Sequence, residues 1–262
     1  MTTGLRRFVR QSDSLGAAGA VPGVPPGVPP AIRDVLAERA ARSGRDAGIP
    51  EDAERCEMCR EVLTGRHGHV VDLEKRSLAC TCRACYLLFT HDGAAGGRYR
   101  AVPENVYHDP GRLLTDADWN ELQIPVAMAF FFVNSALGRV VAGYPSPGGA
   151  TECELDLAAW DRLAAAYPLL GALAPDVEAI FVNRAGAGRS ASPGERPPRT
   201  PELEVFLIPI DECYGLIGEL RLRWQGFDGG AEVRESLAAF LDGLRRRAVP
   251  LDSRPPDSHG EG

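Results

Sequence analysis

The sequence predicts an α+β protein in which a zinc-ribbon-like metal-binding module is followed by a single-sheet α+β sandwich. Two observations predict it: cysteine and histidine residues concentrate between Cys56 and Cys85, and apolar strand-like and helix-like segments alternate after them. The chain of 262 residues is long enough for one or two domains. Its formal net charge of −7 gives no indication of nucleic-acid binding.

Composition divides the chain into four segments. Residues 1–50 are expected to form a flexible tail and linker, because the tract Val21–Pro30 repeats proline and glycine and supports neither strand nor helix. Residues 51–90 hold the metal-binding ribbon, residues 91–248 the α+β domain, and residues 249–262 a disordered polar tail.

The N-terminal tail contains the motif Leu-Arg-Arg-Phe at Leu5–Phe8, which we interpret either as a disordered end or as a short arm that docks on a partner protein. It lacks the apolar segment that a twin-arginine export signal needs. Without such a signal, and with Cys153 and Cys213 distant from other cysteines, the composition fits a reducing compartment. We therefore expect a cytoplasmic protein without a transmembrane segment.

Two Cys-x-x-Cys pairs, Cys56/Cys59 and Cys82/Cys85, flank residues 60–81. The pattern within that interval predicts an outgoing strand, a polar turn and a returning strand, so the two pairs meet at one end of a hairpin. Four thiolates would then surround one tetrahedral ion, as in structural zinc sites. We predict Cys56, Cys59, Cys82 and Cys85 as the primary metal ligands and zinc as the metal.

Other chemistries of paired cysteines match this pattern less well. Disulfide bonds are disfavoured because no secretion signal is expected. A thioredoxin-type redox pair would lie between a strand and the start of a long helix, and neither cysteine pair is predicted to have that position. Iron is the serious alternative, because cysteines at this spacing also hold a single iron atom or an iron–sulfur cluster.

His67, His69 and Cys80 are left over once the primary ligands are assigned, and we predict them as secondary metal ligands. In one interpretation, the histidines are exposed strand-edge residues and Cys80 is a small buried residue. In the other, all seven side chains, with one bridging thiolate, hold two tetrahedral ions. His67 and His69 point to the same side of a strand, which fits a binuclear site or one metal beside an open position.

Local patterns predict the elements of the α+β domain. Thr115–Asp118 has the form of a capping box and begins a short helix. Ile124–Val133 is the most apolar run but too short to span a bilayer, so it predicts a strand covered on both faces at the centre of a sheet. The remaining predicted elements are strands at Arg139–Tyr144, Val177–Asn183 and Leu203–Ile210, a helix at Leu155–Ala166, a helix capped by Asp211 that runs through Trp224, and a last helix to about Arg247.

The α+β domain contains no recognisable catalytic motif, such as a Gly-x-Ser-x-Gly elbow, a His-Glu-x-x-His zinc motif or a dinucleotide fingerprint. Cys213 lies in the first turn of a predicted helix, but no histidine lies between residues 109 and 258 to act as its base. We therefore predict no catalytic residues. An enzyme acting at an open zinc position would have only His67 or His69 as general base.

Both the cysteine-rich region and the α+β domain contain characteristic short motifs. They are Cys-x-x-Cys, His-x-His and Cys-x-Cys-x-x-Cys, followed by Trp119-x-x-Leu-x-Ile-Pro-Val126, Ala129-Phe-Phe-Phe132 and Trp224-x-Gly-Phe-Asp-Gly-Gly230. This combination resembles an uncharacterised bacterial family whose genes are often found beside those of uptake nickel–iron hydrogenases. The resemblance covers the chain from Cys56 to Arg247, with the Leu-Arg-Arg-Phe motif as a further match. It implies an accessory role, with no established activity to carry over.

The sequence therefore predicts a metal-binding accessory protein that acts by protein–protein contact in the assembly or operation of a nickel–iron hydrogenase. The partner implied by the resemblance is a hydrogenase subunit or a maturation factor. The alternative is an electron-transfer protein in which the primary cysteines hold iron, as a rubredoxin-like centre or an iron–sulfur cluster.

Overall fold

A computed structural model of the protein describes residues 53–63, 65–91, 93–111, 114–184, 203–226 and 229–255. The predicted flexible tail and linker, with its Leu5–Phe8 motif, lies outside the described residues. The last residues of the predicted C-terminal tail, 256–262, also lie outside them.

The cysteine-rich region is built on a small antiparallel sheet. β1 (Gly68–Asp72) runs out and β2 (Ser77–Thr81) returns beside it, which confirms the predicted hairpin. A third strand, β3 (Tyr99–Ala101), pairs with the other edge of β1. The small sheet thus takes one strand from beyond residue 90, where the module was expected to end. We call this sheet, with the cysteine pairs that adjoin it, the ribbon.

Asp72 fixes the hairpin turn and ties it to the third strand. Its carboxylate accepts hydrogen bonds from the backbone N–H groups of Glu74 and Lys75, each at 3.1 Å. The guanidinium of Arg98, just before β3, donates to the same carboxylate through Nε at 3.2 Å and Nη2 at 2.7 Å. The Arg98 hydrogen bond is the main cause that lowers the pKa of Asp72 to about 2. One carboxylate therefore holds the turn closed.

The remaining strands of the described residues are β4 (Tyr107–His108), β5 (Met128–Asn134), β6 (Arg139–Ser146), β7 (Gly149–Cys153), β8 (Glu178–Arg184), β9 (Leu203–Pro209) and β10 (Val249–Pro250). They form a seven-stranded sheet in the order β10-β4-β9-β8-β5-β6-β7. Neighbouring strands run antiparallel, except for β10 and β4, which are parallel.

The described helices are α1 (Arg83–Leu87), α2 (Asp116–Glu121), α3 (Leu157–Ala166), α4 (Pro168–Gly171), α5 (Ile210–Arg223) and α6 (Gly230–Arg247). Short 3₁₀ turns lie at Ala94–Gly97 and Leu251–Ser253. Within the described part of the chain, none of the helices combines the length and apolar character needed to cross a membrane. The architecture is mixed α+β, as predicted.

Two predicted helix caps have different outcomes. The capping box of α2 is confirmed: Thr115 Oγ1 accepts from the backbone N–H of Asp118 at 3.3 Å, and the Asp118 carboxylate accepts from the backbone N–H of Thr115 at 2.8 Å. The predicted cap of α5 is wrong, because the helix begins two residues earlier than a cap at Asp211 requires, with Pro209 as its N-cap. Asp211 lies within the first turn, so its carboxylate does not serve as the N-cap.

The large sheet is buried on both faces, as the apolar run of β5 predicts. Phe131 packs on the face covered by α2, α3 and α4, with Trp119 and Trp160. Its neighbour Phe130 points to the face covered by α5 and α6, where the ribbon adds Val71. The ribbon and the large sheet therefore share one hydrophobic core.

Two departures from the predicted strands have a local cause. β5 begins at Met128 rather than at Ile124, since Pro125 has no N–H to donate to a neighbouring strand. β7 was not predicted, because Gly149–Cys153 consists of small and polar residues without apolar alternation.

The segment after α6 also differs from the expectation of a disordered tail. β10 pairs with β4, and the following turn brings Arg254 to the buried carboxylate of Glu178. Both terminal nitrogens of Arg254 lie 3.2 Å from Glu178 Oε2. The polar composition indicated disorder, but a partner 76 residues earlier in the sequence supplies the contact.

We expect Arg254→Ala to destabilise the protein, because it removes a guanidinium that forms an ion pair with the buried Glu178 carboxylate. The expected loss is about 3 kcal/mol in the free energy of unfolding, measured by urea denaturation. Arg246→Ala is the matched control, since Arg246 is exposed on the last turn of α6. Equal stability of the two variants would contradict an anchored C-terminal segment.

Candidate metal centre

The first cysteine pair lies in a closed turn that precedes β1. The backbone N–H of Arg60 donates to the carbonyl of Cys56 at 2.8 Å, and the N–H of Cys56 donates to the carbonyl of Glu61 at 2.8 Å. Arg60 closes the turn in the left-handed region, with φ of 68°. The turn brings Cys56 and Cys59 to the same end of the ribbon.

The second cysteine pair lies where β2 passes into α1. Cys82 is the extended N-cap residue, and its carbonyl accepts the helical hydrogen bond from the N–H of Tyr86 at 2.9 Å. Cys85 follows one turn later, so the two sulfurs lie on the same side. The buried hydroxyl of Tyr86 donates to the carbonyl of Val102 at 2.9 Å and holds α1 against the sheet.

Glu57 joins the first turn to the hairpin. Its backbone N–H donates to the carbonyl of Cys80 at 2.9 Å, and its carboxylate accepts from the N–H of Cys80 at 2.8 Å. These two bonds continue the sheet beyond β2 and set the distance between the cysteine pairs.

The sulfurs of Cys56, Cys59, Cys82 and Cys85 all lie within 4.8 Å of one another, and we call them the four-sulfur cluster. Cys59 Sγ and Cys82 Sγ are 3.7 Å apart. A tetrahedral ion with bonds of about 2.3 Å requires sulfur–sulfur distances of about 3.8 Å, whereas a disulfide requires about 2.05 Å. The cysteines are free, and their spacing can hold one metal ion.

The four thiols affect one another's ionisation. Burial opposes ionisation of Cys56, but backbone N–H groups of the two turns, that of Cys82 most strongly, lower the pKa of its thiol to about 6. Burial, and then the neighbouring thiols, raise the pKa of Cys85. Without a cation the cluster therefore resists full ionisation. A divalent ion would stabilise all of its thiolates together.

His67, His69 and Cys80 also come together, with one ligand atom from each within 4.8 Å of the others, and we call them the second ligand group. His69 lies directly opposite Cys80 in the hairpin. The rings of His67 and His69 have centroids 4.8 Å apart. No residue belongs to both groups, so the described geometry favours four ligands plus three over a shared bridging thiolate.

Two acidic residues beside the second ligand group were not predicted from the sequence. Asp211 Oδ2 lies 2.6 Å from His69 Nδ1, and this hydrogen bond raises the pKa of His69. Glu54 Oε1 lies 3.8 Å from His67 Nε2. Asp211 is 142 residues from His69 in the sequence, and its position near the start of a helix predicts only a capping role.

Cys153 and Cys213 belong to neither group. Cys213 faces the core on α5, and burial raises the pKa of its thiol. That direction is the opposite of the activation that a nucleophilic cysteine needs.

The sequence model of a family of unknown function, DUF5947, matches residues 55–248. This range contains both ligand groups and the described helices and strands from β1 to α6. No curated protein matches the chain. No solved structure matches it either.

We expect Cys59→Ser or Cys82→Ser to abolish metal binding at the four-sulfur cluster, because a serine hydroxyl does not replace a thiolate. A structural zinc contributes on the order of 10 kcal/mol to folding, so hydrogen exchange in the ribbon should become fast while the large sheet stays protected. Metal content is measured by native mass spectrometry. Cys153→Ser is the matched control, and a slowly exchanging ribbon in the metal-free protein would contradict the site.

Proposed function

This chain belongs to DUF5947, a family of unknown function, and we propose that it is a zinc-binding accessory protein that acts by protein–protein contact. The observation that carries the proposal is the four-sulfur cluster, whose spacing fits a tetrahedral ion. Its ligands come from two separate turns, so a bound ion would brace the ribbon. Thiolate-only ligation leaves no position for substrate, which supports a structural rather than a catalytic metal.

An exposed apolar surface adjoins the cluster. Leu87 and Leu88 follow Cys85 at the end of α1 and are 50% and 66% exposed. Because Cys82 and Cys85 bracket the start of α1, a metal held by them would also fix the position of the two leucines. Exposed apolar side chains on a rigid support are typical of protein-interaction sites.

The partner is proposed from the resemblance of the sequence motifs. Those motifs point to nickel–iron hydrogenase assembly or operation, with a hydrogenase subunit or a maturation factor as the partner. The ribbon would supply the contact, and the large sheet would hold it in place through the shared core around Val71.

We expect the double variant Leu87→Ser/Leu88→Ser to bind the hydrogenase partner at least about tenfold more weakly, since apolar contacts at the centre of an interface carry most of its energy. Purified hydrogenase subunits and maturation factors are tested in pull-downs, with the metal content of each sample measured. Leu222→Ser is the matched control, because Leu222 is 89% exposed on α5. Undiminished binding by the double variant would show that α1 is not part of the interface.

Electron transfer through bound iron is the second candidate function. Cys59 is exposed, so an iron ion in the cluster would lie close to the surface, where electrons pass readily between proteins. Tetrahedral thiolates suit iron as well as zinc.

Absorption spectra separate the two candidates. We expect the protein, purified under anaerobic conditions, to be colourless and to contain zinc, because zinc has a filled d shell. The measurement is a visible spectrum with elemental analysis of the same sample. Visible bands that bleach on reduction, together with iron in the sample, would favour electron transfer instead.

A further inference from the structure

The second ligand group has the hydrogen-bonding pattern of metal-binding histidines. The Nδ1 atom of His69 contacts the Asp211 carboxylate at 2.6 Å, and the Nδ1 atom of His67 contacts the Gly65 carbonyl at 3.2 Å. Both partners are acceptors, so both Nδ1 atoms carry a hydrogen. Nε2 of each neutral ring is then the nitrogen with a free lone pair. Histidines that bind metals donate their other N–H to carboxylates or backbone carbonyls in this way.

The Nε2 atom of His67 is buried and has no hydrogen-bond partner among the described residues. A buried acceptor without a partner is costly, and proteins rarely leave one without a reason. An ion pair with Asp211 explains the position of His69 only. It does not explain why His67 and Cys80 converge on the same point.

Glu54 supplies a further oxygen beside the group. Its Oε1 atom lies 3.8 Å from His67 Nε2. The Glu54 side chain is 57% exposed, so it can move toward or away from a bound ion. His67 and His69 also line an open cleft of about 290 Å³, which gives access from solvent.

We propose that His67, His69 and Cys80 form a second, open site for a divalent ion of the zinc class, with Asp211 positioning His69 and Glu54 beside the fourth coordination position. Two imidazoles and one thiolate suit zinc, and three protein ligands with one remaining position are typical of sites that exchange a water or a substrate. This inference goes beyond the proposed function, because the four-sulfur cluster neither contains nor requires this ion.

The test is a titration of Zn²⁺ alone into the reduced, metal-free full chain, followed by native mass spectrometry and calorimetry. We expect two ions per chain, the second bound more weakly. His67→Ala and Cys80→Ser should each lower the number to one. His91→Ala is the matched control and should keep two, since His91 is exposed and belongs to neither group.

Asp211→Asn tests the positioning role. The second Zn²⁺ should bind about 10–100-fold more weakly, while two ions still bind at saturation and the first affinity is unchanged. If Asp211 has only a structural role, the affinity for the second Zn²⁺ stays unchanged. That result would show that Asp211 does not position His69 for the ion.

Thiol alkylation of the wild-type chain supplies a measurement that needs no variant. Cys80 should be protected when the second equivalent of Zn²⁺ is added. A chain that saturates with one ion, or a Cys80 that stays reactive at two equivalents, overturns the second site. If that one ion is lost in Cys82→Ser, only this inference fails, whereas a chain that binds no Zn²⁺ contradicts the proposed function as well.

Discussion

The pairing of Gly68 with Thr81 is the contact on which the metal-binding region depends. The hydroxyl of Thr81, a fully buried residue, donates to the Gly68 carbonyl at 3.0 Å. Tyr86 covers Gly68 so closely that an added Cβ would lie 2.5 Å from the ring. Because side chains alternate along a strand, packing of this pair on one face directs His69 and Cys80 to the other. A slip of one residue in the hairpin would exchange the faces and separate both ligand groups.

Charge then determines what the assembled region can hold. Thiols within 4.8 Å of one another oppose one another's ionisation, and after burial the neighbouring thiols contribute to the raised pKa of Cys85. The four-sulfur cluster therefore favours a divalent ion that is coordinated by all four thiolates and has no open position. The second ligand group carries less negative charge and offers fewer ligands, so an ion there would bind more weakly and exchange more readily.

Features that depend on neighbours in sequence were predictable, and those that depend on distant partners were not. The hairpin, the capping box at Thr115 and the buried strand β5 follow from local patterns of turn, capping and apolar residues. The contacts of Asp211 with His69 and of Arg254 with Glu178 join residues 142 and 76 positions apart, and no spacing rule connects them. An aspartate at the start of a helix is normally explained by capping, so the sequence predicted a capping role for Asp211.

The two ligand groups differ in what a bound ion would connect. An ion in the four-sulfur cluster would join two turns within the ribbon. His69 lies on the same strand face as Val71, which packs into the core of the large sheet, and its partner Asp211 belongs to α5. An ion on Nε2 of His69 withdraws electrons from the ring and strengthens the Nδ1–H donor. Occupancy of the second ligand group would thereby tighten the hydrogen bond that links the ribbon to α5. Among the described residues, no hydrogen bond joins a ligand of the four-sulfur cluster to α5.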